Sequence, residues 1–111
     1  MTQHPIRYDS FIGVDVGKFT LVIHDMRDGT TSRIDNRSSA IRQWLRSLSG
    51  RNCLIICEAT GRYEAALLEL CHHDHVIHRA DARKVKAFIR SLGRLAKTDA
   101  IDAVALALYG R

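Results

Sequence analysis

Phe11-Ile12-Gly13-Val14-Asp15-Val16-Gly17-Lys18-Phe19-Thr20-Leu21-Val22-Ile23-His24-Asp25 carries two apolar runs split at Gly17 and Lys18. Phe11 to Val16 predicts a buried strand, broken at Gly17. Phe19 to Asp25 predicts a second strand, and the Asp28-Gly29 turn makes it a hairpin with Thr30 to Asp35. Along the first strand Ile12, Val14 and Val16 point one way. Asp15 therefore points the other way, with Gly13.

Further along the chain, Ser38 or Ser39 can cap a helix with apolar positions Ile41, Trp44, Leu45 and Leu48, ending at Gly50. Trp44 is expected in the core. Cys53 to Cys57 is short and fully apolar, as a central strand would be. Gly61 to Cys71 predicts a helix with Ala65, Leu67, Leu68 and Leu70 inward, and Val76 to His78 a brief strand. Ala82 to Leu92 predicts an amphipathic helix stopped near Gly93, and Thr98 to Tyr109 an alanine-rich closing helix. A hairpin-rich start followed by alternating elements implies an α/β fold, a mixed sheet with helices on its faces.

At 111 residues the chain fits one domain, with residues 1–10 as a polar N-terminal arm. Hydrophobic content of 46% and charged content of 26% suit an ordinary globular protein. No apolar run approaches the ~20 residues that span a bilayer, and the N-terminus lacks a signal-peptide core. Cys53, Cys57 and Cys71 form no CxxC pair, and four strand positions separate the first two by roughly 13 Å. Reduced thiols in the cytoplasm fit that pattern.

Seventeen Lys and Arg oppose twelve Asp and Glu. Four of those acids sit in motifs of their own: Asp15, Glu58 in Glu58-Ala59-Thr60-Gly61, and Asp99 with Asp102 in Lys97-Thr98-Asp99-Ala100-Ile101-Asp102-Ala103. The cheapest reason for such acids in a basic chain is a hard divalent cation, Mg2+ or Mn2+, which prefers carboxylate oxygens. Two such ions about 4 Å apart can activate an attacking oxygen and stabilise a leaving one in phosphodiester chemistry. Each acid has a plainer reading. Asp15 could salt-bridge Lys18, Glu58 could serve a helix dipole, and Asp99 and Asp102 could occupy a first helical turn behind a Thr98 cap. Gly13 and Gly17 favour the site reading, since bare backbone lets a phosphate or metal approach. An i, i+3 pair can also share a cation on one helix face, away from an apolar stripe of Ile101, Val104, Ala105 and Leu108.

Taken together, Gly13-Val14-Asp15-Val16-Gly17-Lys18, Glu58-Ala59-Thr60-Gly61, Val85-Lys86-Ala87-Phe88 and Ala96-Lys97-Thr98-Asp99-Ala100-Ile101-Asp102-Ala103 resemble one family. It is the N-terminal domain of the Piv-like DNA invertases and insertion sequence one-ten transposases. The resemblance spans about Phe11 to Arg111 and implies a RuvC-like version of the ribonuclease H fold. It implies an acidic tetrad of Asp15, Glu58, Asp99 and Asp102, both catalytic and Mg2+-binding. It also implies DNA as substrate, a structured guide RNA in full-length relatives, and a homo-oligomer. Complete relatives continue into a second domain bearing a nucleophilic serine, which the sequence to Arg111 does not include. Relatives often carry Asn-Pro where this chain has Arg79-Ala80-Asp81, so the strand exit there is expected to differ.

From Arg79 to Lys97 there are seven basic residues and a single acid, Asp81. Arg83, Lys86 and Arg90 share one helical stripe opposite Val85, Phe88, Ile89 and Leu92, and Arg94 and Lys97 continue the run. With Lys18 they are the expected track for a phosphate backbone, against the plainer reading of a solvated face. Aromatics for base stacking are sparse. Cys71-His72-His73-Asp74-His75 with His78 matches no familiar zinc spacing, and a polar turn explains it equally well. Three rivals are a Holliday-junction resolvase-like nuclease, a non-catalytic nucleic-acid-binding fragment, and the sugar-kinase and actin ATPase fold. The last needs a second lobe that 111 residues cannot supply.

Overall fold

A computed structural model describes residues 8–59, 61–71, 75–92 and 102–111. The chain runs β1 (Ser10–Val16), β2 (Thr20–Asp25), β3 (Thr30–Asp35), α1 (Ser38–Ser47), β4 (Cys53–Glu58), α2 (Ala65–Cys71), β5 (Val76–Ala80), α3 (Ala82–Ser91) and α4 (Ala103–Gly110). The five strands form one sheet in the order β3-β2-β1-β4-β5. β1 pairs antiparallel with β2, and β2 with β3, while β4 is parallel to both β1 and β5. This is the mixed sheet of the ribonuclease H-like, RuvC-like class.

Alternation along β1 and β4 divides the core between the sheet's faces. On one face Ile12, Val14, Ile55 and Cys57 pack with Ile41 and Leu45 of α1 and Leu67 and Cys71 of α2. On the other, Ile56 and Ala80 pack with Val85 of α3 and Leu106 of α4. Trp44 is partly buried against the first cluster. All three cysteines are buried and free, and burial pushes the Cys57 and Cys71 thiols up to about 12. They are core thiols held in the neutral form.

The second face depends on small residues. A Cβ on Gly13 would overlap the Ala103 carbonyl oxygen and stand 2.6 Å from the Ala107 nitrogen. At the other end of α4, a Cβ on Gly110 would overlap the Ile56 side chain. Gly13, Ala103, Ala107 and Gly110 thus let the helix axis come down onto β1 and β4. The expectation that Gly13 leaves room for a phosphate or metal is corrected, because the helix fills that space.

Several boundaries move. α1 starts at Ser38 behind Arg37, whose side chain makes no capping hydrogen bond, so neither serine is the cap. α2 starts at Ala65 rather than Gly61. Gly61 has φ +76°, and its N–H donates to the Glu64 carboxylate at 3.1 Å, closing a turn before the helix. Ala65 is consequently exposed while Leu67 and Cys71 are buried. β5 continues to Ala80, longer than expected, because its backbone pairs with β4 as far as Glu58. α4 starts at Ala103 rather than Thr98, and its buried residues are Ala103, Leu106 and Ala107. The expected stripe through Val104, Ala105 and Leu108 is only partly buried.

Candidate functional site

Asp15 and Glu58 stand at the carboxyl ends of β1 and β4, which are parallel neighbours with Val14 opposite Cys57. Both lie on the face covered by α3 and α4, since they alternate with the α1-side residues Val14, Val16 and Cys57. Their side chains are half-buried. In sheets with parallel strands, the crevice outside the carboxyl strand ends is where ligands bind.

Burial raises the Asp15 pKa above its ordinary value, and the Asp102 charge raises it further. Glu58 is likewise raised, first by burial and then by Asp15 and Glu64, against an opposing pull from Lys86. An acid held in a salt bridge would move the other way. The Lys18 ammonium instead lies over the Phe19 ring, 5.1 Å from its centroid. The salt-bridge alternative for Asp15 therefore fails. The dipole alternative for Glu58 fails too, because α2 begins only at Ala65.

Asp102 is the N-cap of α4. Its backbone is extended (φ −104°, ψ 176°), and its carboxylate accepts the Ala105 N–H at 2.8 Å. Its plainer reading, service to the helix start, holds in this sharper form. A residue in extended conformation is not part of a continuous helical face, so the expected i, i+3 pairing with Asp99 inside one helix is corrected. Asp99 itself, with Arg94 and Lys97, lies outside the described residues. Of the expected tetrad, Asp15 is coupled electrostatically to Asp102 and Glu58 to Asp15. Among the described residues no three His, Cys, Asp or Glu side chains stand close enough to enclose a metal ion.

α3 carries the basic stripe beside this group. Asp81 caps the helix by accepting the Arg83 N–H at 2.8 Å. Arg83 and Arg90 are exposed, whereas Lys86 is half-buried, on the side from which it lowers the Glu58 pKa. Phe88, expected on the apolar side, packs edge-on against Tyr109 of α4 at 5.6 Å. His78 stacks on the same Tyr109. Leu92 is exposed, contrary to expectation.

Three features escape a reading of the sequence. Glu64 is a buried acid, 3% exposed, that pairs with Arg79 at 3.3 Å and bears electrostatically on Glu58. Its only signal is a carboxylate three residues after a glycine, which suits a helical position equally. Phe19 and Tyr63 are exposed aromatics in the two loops leaving β1 and β4. Asn36 ties those loops together, donating to the Gly17 carbonyl at 2.8 Å and the Tyr63 carbonyl at 3.0 Å.

The arrangement is an acidic group at a sheet end, flanked by a basic helix and two aromatics. Carboxylates are the residue type a hard cation prefers, and Lys and Arg the type an anionic polymer prefers. No described helix is long and apolar enough to cross a membrane. A family model described as a transposase, of the insertion sequence one-ten DEDD type, matches residues 12–111. None of the curated proteins compared with the chain matches it.

Proposed function

The chain belongs to the insertion sequence one-ten DEDD transposases, and from that membership we propose that residues 11–111 are the catalytic domain of a DNA recombinase acting on phosphodiesters. The observation that supports the reading is the pairwise electrostatic coupling of Asp15 to Asp102 and of Glu58 to Asp15, none of the three being in a salt bridge among the described residues. Carboxylates that raise one another's proton affinity are the donor type that suits Mg2+ or Mn2+. Asp15, Glu58, Asp99 and Asp102 would hold the ion. When bound, it supplies charge neutralisation at the phosphate and a more acidic nucleophile.

The chain's own residues do the rest. Asp102, fixed by its cap bond, keeps one carboxylate oriented without help from the ion. Lys86 offsets charge at Glu58, and with Lys18, Arg83, Arg90, Arg94 and Lys97 it forms the track for the DNA backbone. The protein works in the cytoplasm with its cysteines reduced, and as the family resemblance implies, with copies of itself and a structured guide RNA.

Calorimetric titration with Mn2+ tests the proposal, using the parent and Asp15→Asn. Binding by the parent that Asp15→Asn weakens at least tenfold is the expected result. Equal heats from both proteins would remove the carboxylate group from the reaction. Cleavage of a four-way junction by this chain with Mg2+ would favour the resolvase-like nuclease instead.

A further inference from the structure

A cavity of about 580 Å³ opens between the C-terminal end of α1, Leu70 of α2 and His75. It lies at the opposite end of the sheet from Asp15 and Glu58. Arg51 in its wall immediately precedes β4, and pairs with Asp25, the last residue of β2. Three arginines, Arg42, Arg46 and Arg51, and His75 line it, and among the described residues no acid does.

Two features distinguish this wall from a solvated basic face. First, Arg51 is fixed. Two of its nitrogens donate to Asp25 at 2.7 and 3.2 Å, and Asp25 is held in turn by the Ser10 hydroxyl and the Arg27 N–H. Its Nε is buried and has no hydrogen-bond partner among the described residues, so the Asp25 pair is what holds the guanidinium in the wall. Secondly, Arg42 and Arg46 stand one helical turn apart, and no carboxylate among the described residues pairs with either. Arg46 is in the last turn of α1, where the helix dipole welcomes a cation, but Arg42 is not. Exposed guanidinium groups with no acid beside them among the described residues focus positive potential and match phosphate oxygens in pairs.

We propose that this cavity is a second phosphate-binding site, taking the backbone of a polynucleotide segment other than the one at the carboxylates. The open, polar shape suits consecutive phosphates of a polymer better than an enclosed small molecule. The anion site stands on its own geometry. Only the assignment of the anion to a polynucleotide rests on the transposase reading.

The test measures binding of labelled duplex DNA, duplex RNA and inorganic phosphate in EDTA, which silences any divalent site. Arg42→Gln with Arg46→Gln changes two exposed side chains and should leave the melting temperature unchanged. The double variant should bind the duplexes about tenfold more weakly. Its salt slope should fall by about two, near one for each phosphate that is no longer neutralised. The DNA and RNA arms identify which polymer the cavity prefers. Unchanged affinity and slope in the double variant would overturn the site, and inorganic phosphate binding as tightly as either duplex would overturn its polymer assignment. Because no metal is present, failure here is separable from failure of the Mn2+ titration.

Discussion

Asp102 caps α4 with the same carboxylate whose charge raises the proton affinity of Asp15 on β1. One acid therefore serves the helix start and the acidic group together. Its two roles come apart under substitution, because asparagine caps a helix about as well as aspartate but carries no charge.

Asp102→Asn should keep the thermal stability of the metal-free protein and lose Mn2+ affinity. Asp102→Ala should lose both, with about 1 kcal/mol of stability gone with the cap. Thermal melts beside calorimetric titration of both variants decide the matter. A destabilised Asp102→Asn with parental metal affinity would leave Asp102 as a cap alone.

The raised pKa of Asp15 and Glu58 fixes the sign of a pH effect. Their ordinary values are 3.8 and 4.5, and each binds its proton more tightly when folded. The metal-free fold therefore loses stability as pH rises from about 4 through the raised folded values. Asp15→Asn should melt above the parent at neutral pH, and the gap should close as pH falls toward about 4. A gap that widens on acidification would show the sign to be wrong.

Metal should reverse that penalty. Millimolar Mg2+ or Mn2+ should raise the parent's melting temperature, since a ligand that binds only the folded state stabilises it. Asp15→Asn should show little of the rise. Identical melting curves with and without either ion would count against a clustered set.

Asp25 and Arg51 behave oppositely. Burial alone would raise the Asp25 pKa, but hydrogen bonds from Arg51, Arg27 and Ser10 outweigh it and hold the pKa below 3.8. That stability is present above pH ~4 and is lost as pH falls through the folded value. Arg51→Ala strands a largely buried carboxylate and should cost about 2–3 kcal/mol, read from denaturant melts.

Gly13→Ala should be costlier than a methyl group suggests. The added carbon meets the backbone of α4 rather than a movable side chain. Overpacking of this kind costs about 1–3 kcal/mol. Circular dichroism melts would report it, with Gly29→Ala as a comparison at a turn where nothing lies near but φ is +73°.

The strands were legible because a buried strand writes its pattern in a handful of adjacent residues, as in Ile12, Val14 and Val16 against Asp15. Asp15 and Glu58 were legible for the same reason, as acids ending apolar runs. Helix starts were not. Glu64 and Asp102 carry side chains that suit a cap, a turn or a first helical turn equally, and only the backbone around them chooses. Gly13 announced a close approach in sequence but not by whom, since a glycine is equally open to a phosphate and to a helix. The basic cavity was invisible because Arg42 and Arg46 of α1, Arg51 before β4 and His75 before β5 come from three segments that only the folded sheet gathers.

The packing of α4 on Gly13 joins the earliest strand to the most distant described helix. A chain emerging from the ribosome would build the sheet long before it could place Asp102 against Asp15. The coupling of Asp102 to Asp15 should thus arise late during synthesis, only once α4 has docked on Gly13.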